Sequence, residues 1–348
     1  RFSSEVIREA AYQADSHATT PEELFQQASE LGVLSYSVSE QLGGYSDKPS
    51  PVTNVLIAES LAQGDMGIAT ALLSTVSVAN ALTQWGTSEQ QAQWLAPLTE
   101  SQEQAQPLFA SIAINEPVPL FNPNLLITKA TPTDEGYKLN GQKSAVAIGQ
   151  KADFFLVAAA SPNGEPHLYI VNSALKGITI TTNPSMGLKA AELYTLNFDN
   201  VQLPADARLG DEHFCYSTFL AYSHLASCAL AIGCGQAIQD YVIKYCNERI
   251  AFGEPVSHRQ SVAFMIANIG IELEGMKLLT YRAASLAEQN KPFQREAYLA
   301  KTFCSDKSME IGTNGVQLLG GHGFIKEHPV ERWYRDMRST AILFGLHA

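Results

Sequence analysis

The sequence is poor in cysteine, and the few it has lie in one part of the chain. The five cysteines are Cys215, Cys228, Cys234, Cys246 and Cys304, an odd number with no Cys-x-x-Cys pair. Such a set predicts no disulfide framework and no thiolate metal site. We therefore expect buried free thiols in a reducing compartment, and no bound metal.

Basic residues are also scarce, with 23 Lys and Arg against 35 Asp and Glu and a formal net charge of −12. Because a negative chain repels polyanions, nucleic acid and an anionic membrane surface are excluded as main partners. We find no apolar run long enough to cross a bilayer and no signal-peptide pattern at Arg1. These features predict a cytoplasmic protein without a membrane span.

Hydrophobic residues, by contrast, make up 45% of the 348 residues, enough for about two or three packed units. Residues 1–110 have the apolar spacing of helices, residues 111–212 alternate as short strands, and residues 213–348 return to long helical repeats. This order predicts an α+β protein with an N-terminal α-helical domain, a middle β domain and a C-terminal helical bundle. It excludes a Rossmann fold, in which strands and helices alternate.

Two local signals refine this division. The pair Asn140-Gly141, inside an alternating stretch, predicts the two-residue turn of a β-hairpin. Ser88, followed by acidic and amide residues, predicts the N-cap of a short helix.

Several motifs, in order along the chain, resemble those of the acyl-CoA dehydrogenase family. One is the family's Arg-x-x-Phe-Gly followed by a Gln, and another is its Gln-x-x-Gly-Gly-x-Gly-Phe loop followed by Arg-Asp. The matching residues are Arg249, Phe252, Gly253, Gln260, Gln317, Gly320, Gly321, Gly323, Phe324, Arg335 and Asp336. Because the resemblance extends over nearly the whole length, the chain is identified as a divergent member of that family.

The resemblance implies a middle β-barrel or β-sandwich, a C-terminal four-helix bundle, and FAD bound between them with an acyl-CoA thioester against the flavin. It also implies a homodimer or homotetramer, an electron-transfer protein as redox partner, and a role in fatty acid metabolism. Residues implied on the flavin side are Asn115, Ala145 and Ala147. Those implied at the ADP half of a neighbour's FAD are Arg249, Phe252, Gln317, Gly320, Gly321 and Gly323.

The flavin side differs from the family pattern. Asn115 stands for a Thr, Ala145 for a Trp and Ala147 for a Thr, while Phe121 falls where the family has Ser. The amide of Asn115 can replace a hydroxyl, whereas Phe121 and Ala145 supply no hydrogen bond to a polar ring.

The expected catalytic base is missing as well. In most of the family it is the Glu of a Glu-Gly-Thr motif soon after Arg-Asp, and this position holds Phe344, which cannot accept a proton. A second position used in the family falls at Ser223 or His224, of which His224 titrates near neutrality. The base is therefore unassigned, with His224 as a candidate.

Three functions remain open. The first is α,β-dehydrogenation of an acyl-CoA with hydride transfer to FAD, an oxidoreductase acting on CH–CH donors. The second is a non-catalytic homologue that serves as a binding or dimerisation partner. The third is a flavin-dependent monooxygenase on the same fold, in which reduced flavin and oxygen do the chemistry. The overall match favours the first, and the clustering of substitutions at the flavin side favours the second.

Overall fold

The fold is known from a computed structural model, which describes residues 1–45, 49–101 and 107–348. The N-terminal part is helical. It comprises a π-helical turn (Phe2–Ile7), α1 (Arg8–His17), α2 (Glu22–Glu30), α3 (Pro51–Gly64), α4 (Met66–Trp85), α5 (Ser88–Gln90), a second π-helical turn (Gln91–Leu95) and α6 (Ala96–Ser101). Asp65 caps α4, because its carboxylate accepts the Ile68 N–H at 3.0 Å.

The N-cap of α5 is Thr87 rather than Ser88, so that prediction was wrong by one residue. Thr87 Oγ1 accepts the Gln90 N–H at 3.2 Å, and Gln90 Oε1 accepts the Thr87 N–H at 3.2 Å. This reciprocal pair is a capping box. The sequence is ambiguous here because Thr87 and Ser88 are each followed, three residues later, by a glutamine.

Two helices, Met66–Trp85 and Tyr216–Glu248, are long and apolar enough to cross a membrane by length and composition. The prediction that the sequence holds no such run was therefore wrong. Of their most apolar windows, 94% and 89% are buried inside the fold. Packing within the protein thus accounts for their apolar character, and they are weak evidence for a membrane span.

The middle part is one curled seven-stranded sheet. Six strands follow the order β1-β4-β2-β3-β7-β6, and the seventh, β5, pairs with β4. Its strands are β1 (Ala110–Ala113), β2 (Lys129–Thr133), β3 (Gly136–Val146), β4 (Phe154–Ala160), β5 (Pro166–Asn172), β6 (Ile178–Thr182) and β7 (Tyr194–Pro204). β4 is buried on both faces. Phe154 and Leu156 join the core shared with the helices, whereas Phe155 and Val157 join a second core inside the sheet.

Asn140 and Gly141 lie inside the continuous strand β3, so the predicted hairpin turn was wrong. The register between β3 and β7 shifts between Leu139 and Gly141, which is a β-bulge. Gly141 has φ +142°, and a Cβ there would lie 2.6 Å from Thr128. Asn140 lies opposite both Asp199 and Asn200, so the extra residue belongs to β7, and the backbone freedom of Gly141 serves its close approach to Thr128 instead of a turn.

The C-terminal part is a bundle of α7 (Tyr216–Glu248), α8 (Gln260–Glu288), α9 (Gln294–Leu319) and the shorter α10 (Val330–Met337), with a small hairpin of β8 (Ile250–Ala251) and β9 (Glu254–Pro255) after α7. α7 crosses α3 closely at Gly233, where a Cβ would lie 2.1 Å from the Glu59 carbonyl oxygen. Together these parts confirm the predicted α+β fold of helices, curled sheet and helical bundle.

All five cysteines are free, as expected, but they are not all buried. Cys215 is exposed just before α7, while the other four lie within the bundle. Within the described residues, no group of three or more His, Cys, Asp or Glu side chains is arranged to hold a metal ion.

Candidate functional site

The residues predicted for the site fall into two groups near opposite ends of α7. His224 lies near its beginning, and Arg249 follows its last residue. Their separation of 25 positions corresponds to about 37 Å along a helix axis. One chain therefore does not bring both groups to the same end of a bound ligand.

Asn115, directly after β1, lies at the centre of the first group. Its carbonyl accepts the Ser144 N–H at 2.9 Å, which places it beside Ala145. Its Nδ2 donates to the Ile342 carbonyl at 2.7 Å, while its Oδ1 is buried without a partner among the described residues. Because an unpaired buried acceptor is costly, this oxygen marks a place where a donor is missing.

The neighbouring Glu116 holds this region in place. Its carboxylate accepts the N–H groups of Ile127 and Thr128, at 2.7 and 2.8 Å, and the Lys143 ammonium at 2.8 Å. Burial alone would raise the pKa of Glu116, but Lys143 and the two N–H groups hold it below its ordinary value. The Glu116–Lys143 ion pair fixes the connection between β1 and β2. Both carboxylate oxygens of Glu116 already accept hydrogen bonds from the protein.

Ala145 and Ala147 lie at the end of β3 and just beyond it. Ala145 has φ +52° and is half-buried, and the register between β3 and β7 shifts a second time just before it. Ala147 is 8% exposed and belongs to the main core. Neither side chain has a polar atom to offer a ligand.

Phe344, at the expected position of the base, is half-buried in an aromatic and cationic setting. Its ring centre lies 6.1 Å from that of Phe121 and 5.9 Å from that of His224. The Lys301 ammonium lies 5.1 Å from the Phe344 ring centre, within range of a cation–π interaction. None of these groups is a carboxylate.

His224 is the residue that the sequence offers as a candidate base. Its Nδ1 is buried without a partner among the described residues. Burial, together with the nearby Lys301 ammonium, lowers the pKa of His224 to about 4, so the imidazole is neutral at neutral pH. The adjacent Ser223 hydroxyl is also buried, and no group among the described residues hydrogen-bonds to it or could activate it.

Beyond Phe344 the chain turns into the space between α3, α4 and α7. Leu346, His347 and Ala348 are all buried there. The His347 ring stacks on Tyr222 with centres 4.6 Å apart, and its carbonyl accepts Asn80 Nδ2 at 3.1 Å. The remaining cavity is about 10 Å³, room for one water at most. An acyl chain fits there only if residues 346–348 move.

A groove of about 550 Å³ lies between the sheet and the beginning of α7. The exposed Arg208 and the aromatic residues Tyr137, Phe214 and Tyr216 line it. It also contains His167, whose Nε2 is buried without a partner among the described residues, and whose pKa burial lowers to about 4. The groove thus combines a cation, ring faces and a neutral imidazole.

The second group surrounds the β8–β9 hairpin and the end of α9, on the surface. Phe252 is 94% exposed, and the Arg259 guanidinium lies 5.1 Å from its ring centre. Exposed with it are Arg249, Gln317, Gly320 and Gly321, whereas Gly323 packs against Val316. The structure leaves these residues open to a ligand or to a second chain.

Three acyl-CoA dehydrogenase family models match the chain: the N-terminal domain at residues 1–102, the middle domain at residues 111–201 and the C-terminal domain at residues 215–347. The solved structure of butyryl-CoA dehydrogenase from Megasphaera elsdenii is 30% identical, with a TM-score of 0.87 over 97% of this chain and 90% of that one. The chain belongs to the acyl-CoA dehydrogenase family.

Two other proteins extend the comparison. The caffeyl-CoA reductase–Etf complex subunit CarC of Acetobacterium woodii is 29% identical over 351 residues, which covers 98% of this chain and 90% of that protein. The structure of PigA with FAD and proline has a TM-score of 0.88 at 23% identity over 99% of this chain and 91% of that one. This last likeness shows the fold alone.

Sequence reasoning missed Lys301, the buried cation of the first group. It lies on α9 and is 6% exposed. Its ammonium donates to Ser227 Oγ and to the carbonyls of Thr340 and Leu343, and burial lowers its pKa to about 8. One signal was available, because Lys301 shares a helix face with the apolar Ala297 and Cys304.

Proposed function

We propose that this chain is an FAD-dependent flavoprotein of the acyl-CoA dehydrogenase family that binds an acyl thioester but lacks carboxylate-dependent α,β-dehydrogenation. The observation that carries the proposal is the setting of Phe344, where the α-proton acceptor of the family would be. Phe121, His224 and Lys301 lie around its ring, and none of these three is a carboxylate. The α-carbon of a thioester is a poor acid, so its deprotonation needs a placed base.

The residues fit FAD unevenly. In favour of binding is the unpaired Asn115 Oδ1, a buried acceptor suited to an N–H of the flavin ring. The exposed Arg249 and Gln317 suit the pyrophosphate and adenine end. Against tight binding, Ala145 and Ala147 offer no polar contact. Bound FAD would supply the hydride acceptor for the β-carbon of a thioester.

The thioester's carrier suits the groove at the beginning of α7. Arg208 can pair with phosphate oxygens, and ring faces such as Tyr137 and Phe214 can stack on a nucleobase. Ser217 in this groove and His224 lie seven residues apart on one face of α7, about 10 Å along the helix axis. A ligand lying along this face would carry its thioester end from the groove towards Phe344.

A second candidate function is slow dehydrogenation with His224 as base. It is favoured by the free, neutral imidazole beside Phe344. With a pKa near 4, however, His224 is a weaker base than an ordinary histidine. Because efficient proton transfer requires a pKa near the working pH, any such activity would be low.

We further propose a homo-oligomer, either a dimer or a tetramer. On α8, Phe264, Ile271 and Leu278 recur every seven residues and are 60%, 68% and 69% exposed. A row of exposed apolar side chains of this kind is typical of an interface. In an oligomer, Arg249 of one chain could bind the ADP half of an FAD whose flavin lies near His224 of another chain. This would explain why the two residues lie so far apart within one chain.

The electron-transfer partner, the cytoplasmic location and the role in fatty acid metabolism belong to the same proposal. The resemblance to CarC, a subunit of a complex with Etf, supports the first. The free thiols and the acidic net charge support the second. The similarity to a short-chain specific acyl-CoA dehydrogenase supports the role in fatty acid metabolism.

The test is the absorbance spectrum of the purified protein, after reconstitution with FAD where needed, titrated anaerobically with butyryl-CoA. We expect a yellow protein whose flavin bands shift on ligand binding and are not bleached. A protein that cannot be reconstituted with FAD would refute the cofactor assignment. Bleaching by butyryl-CoA at a dehydrogenase's rate would refute the missing base, and bleaching by a nicotinamide donor would indicate the monooxygenase.

A further inference from the structure

Residues 345–347 enter the interior of the protein directly beyond Phe344. Gly345 has φ +98°, and a Cβ there would lie 2.8 Å from the Ile112 carbonyl oxygen, so the turn at this position requires glycine. Leu346 and His347, which follow it, are 2% and 5% exposed. The chain therefore turns inward at the place where, in the proposed function, the thioester of a ligand would lie.

The side chain of His347 lies between α4 and α7. Its ring stacks on Tyr222 of α7, with centres 4.6 Å and planes 26° apart. It also meets Trp85, the last residue of α4, with centres 5.3 Å apart and planes nearly at a right angle. The His347 carbonyl accepts Asn80 Nδ2 of α4 at 3.1 Å. These contacts hold the ring in one position between two long helices.

Hydrogen bonding does not explain why this ring is buried. Neither Nδ1 nor Nε2 of His347 has a partner among the described residues. Burial lowers the pKa of His347 to about 3, so the ring is neutral at neutral pH. Because a buried polar group without a partner is costly, the polarity of the ring brings no gain here. The contribution of the ring is the space that it fills.

The space around His347 is suited to an apolar tail. The cavity that remains, about 10 Å³, is lined by apolar side chains that include Ile57 of α3, Val76 of α4 and Ala226 of α7. Ala226 comes two positions after His224, so the two side chains point to opposite sides of α7. A ligand whose carrier lies along the His224 side would therefore pass its acyl tail beyond Phe344 into this space.

Given the proposed function, in which the chain binds an acyl thioester, we propose that Leu346 and His347 close the acyl end of the site. They are specificity-determining residues that restrict the site to short acyl groups, such as acetyl or butyryl. The remaining cavity holds one water at most, so a longer tail has no room beyond Phe344. The competing interpretation is a movable segment, which leaves the interior when a long tail binds.

The experiment is isothermal titration of the FAD-reconstituted protein with butyryl-CoA and with octanoyl-CoA. A pocket that accepted the extra methylenes of the octanoyl group would bind it on the order of 100-fold more tightly than butyryl. We expect the original protein to bind octanoyl-CoA no more tightly than butyryl-CoA. The double variant Leu346→Ala, His347→Ala removes the obstruction and should bind octanoyl-CoA at least about 10-fold more tightly than butyryl-CoA.

The matched control is the double variant Leu346→Met, His347→Leu, which keeps side chains of similar size at both positions. It should bind the two thioesters as the original protein does. Circular dichroism checks that each variant is folded. His347→Leu alone should not lower the melting temperature, because the ring nitrogens make no hydrogen bond that would be lost.

The titration of the original protein tests the proposal without any variant. If it bound octanoyl-CoA on the order of 100-fold more tightly than butyryl-CoA, the segment would be movable, and the specificity proposal alone would be overturned. An alanine variant that binds like the matched control would overturn it as well. If neither thioester bound to any of the proteins, thioester binding itself would be refuted, and the specificity proposal with it.

Discussion

The ammonium of Lys301 lies 5.1 Å from the centre of the Phe344 ring. The same ammonium donates to the carbonyls of Thr340 and Leu343, in the segment that leads to Phe344. Lys301 therefore fixes the backbone before position 344, while its charge lies over the aromatic ring. The position where the family carries an anionic base thus faces a cation, and it holds an uncharged aromatic ring instead.

Lys301→Met should destabilise the protein, because it leaves buried carbonyl groups without a donor. The expected cost is about 2–3 kcal/mol, seen as a fall of several degrees in the melting temperature. Lys307→Met is the matched control on the same helix, since Lys307 makes ion pairs at the surface, with Glu272 and Glu310. Equal melting temperatures for the two variants would contradict the role of Lys301.

Asp336 should make stability depend on pH. It is buried and accepts the Leu188 N–H at 2.6 Å. Burial, with the nearby Asp65, raises its pKa to about 8. The pKa of Asp336 is higher in the folded protein than in the unfolded chain, where it is about 4. Its contribution to the free energy of unfolding is therefore fully present below pH about 4. It is lost as the pH rises through about 8, since the unfolded chain releases the proton first.

Asp336→Asn keeps the acceptor and removes the titration. The difference in melting temperature, Asp336→Asn minus the original protein, should therefore be more positive at pH 8 than at pH 5. Asp206→Asn, at an exposed position, serves as the control and should show no such difference between the two pH values. If the two variants respond alike, Asp336 does not hold a proton in the folded state.

The exposed stripe on α8 should be where copies of the chain associate. Ile271→Glu places a charge within the stripe and should lower the molar mass measured by light scattering after size exclusion. Leu125→Glu is matched in exposure, at 72% against 68% for Ile271, but lies in the β1–β2 connection. A loss of association in Leu125→Glu alone, or a monomeric original protein, would contradict the proposed interface.

Periodicity predicted the long helices and the strand-rich middle part, because many residues contribute to each of those patterns. Single positions were less secure. Asn140-Gly141 was assigned to a turn because its backbone preferences suit a turn, whereas Gly141 lies within β3 and approaches Thr128 closely, a contact that the local sequence does not reveal. At α5, two residues have equivalent capping patterns, and tertiary packing selects Thr87.

The site could be predicted in part. The motif positions led to Asn115, His224 and Phe344, which the structure brings into one region even though these residues depart from the family pattern. The partners of these residues came from distant segments, as Ile342 does for Asn115, 227 residues away.

The central claim is that position 344 lacks the α-proton acceptor in a site that otherwise holds flavin and thioester. The most direct measurement is anaerobic bleaching of the flavin by butyryl-CoA in Phe344→Glu, with Phe344→Gln as the control of similar size that cannot act as a base. Phe344→Glu should bleach at least about 100-fold faster than Phe344→Gln and the original protein. Bleaching of the original protein as fast as Phe344→Glu would contradict the account.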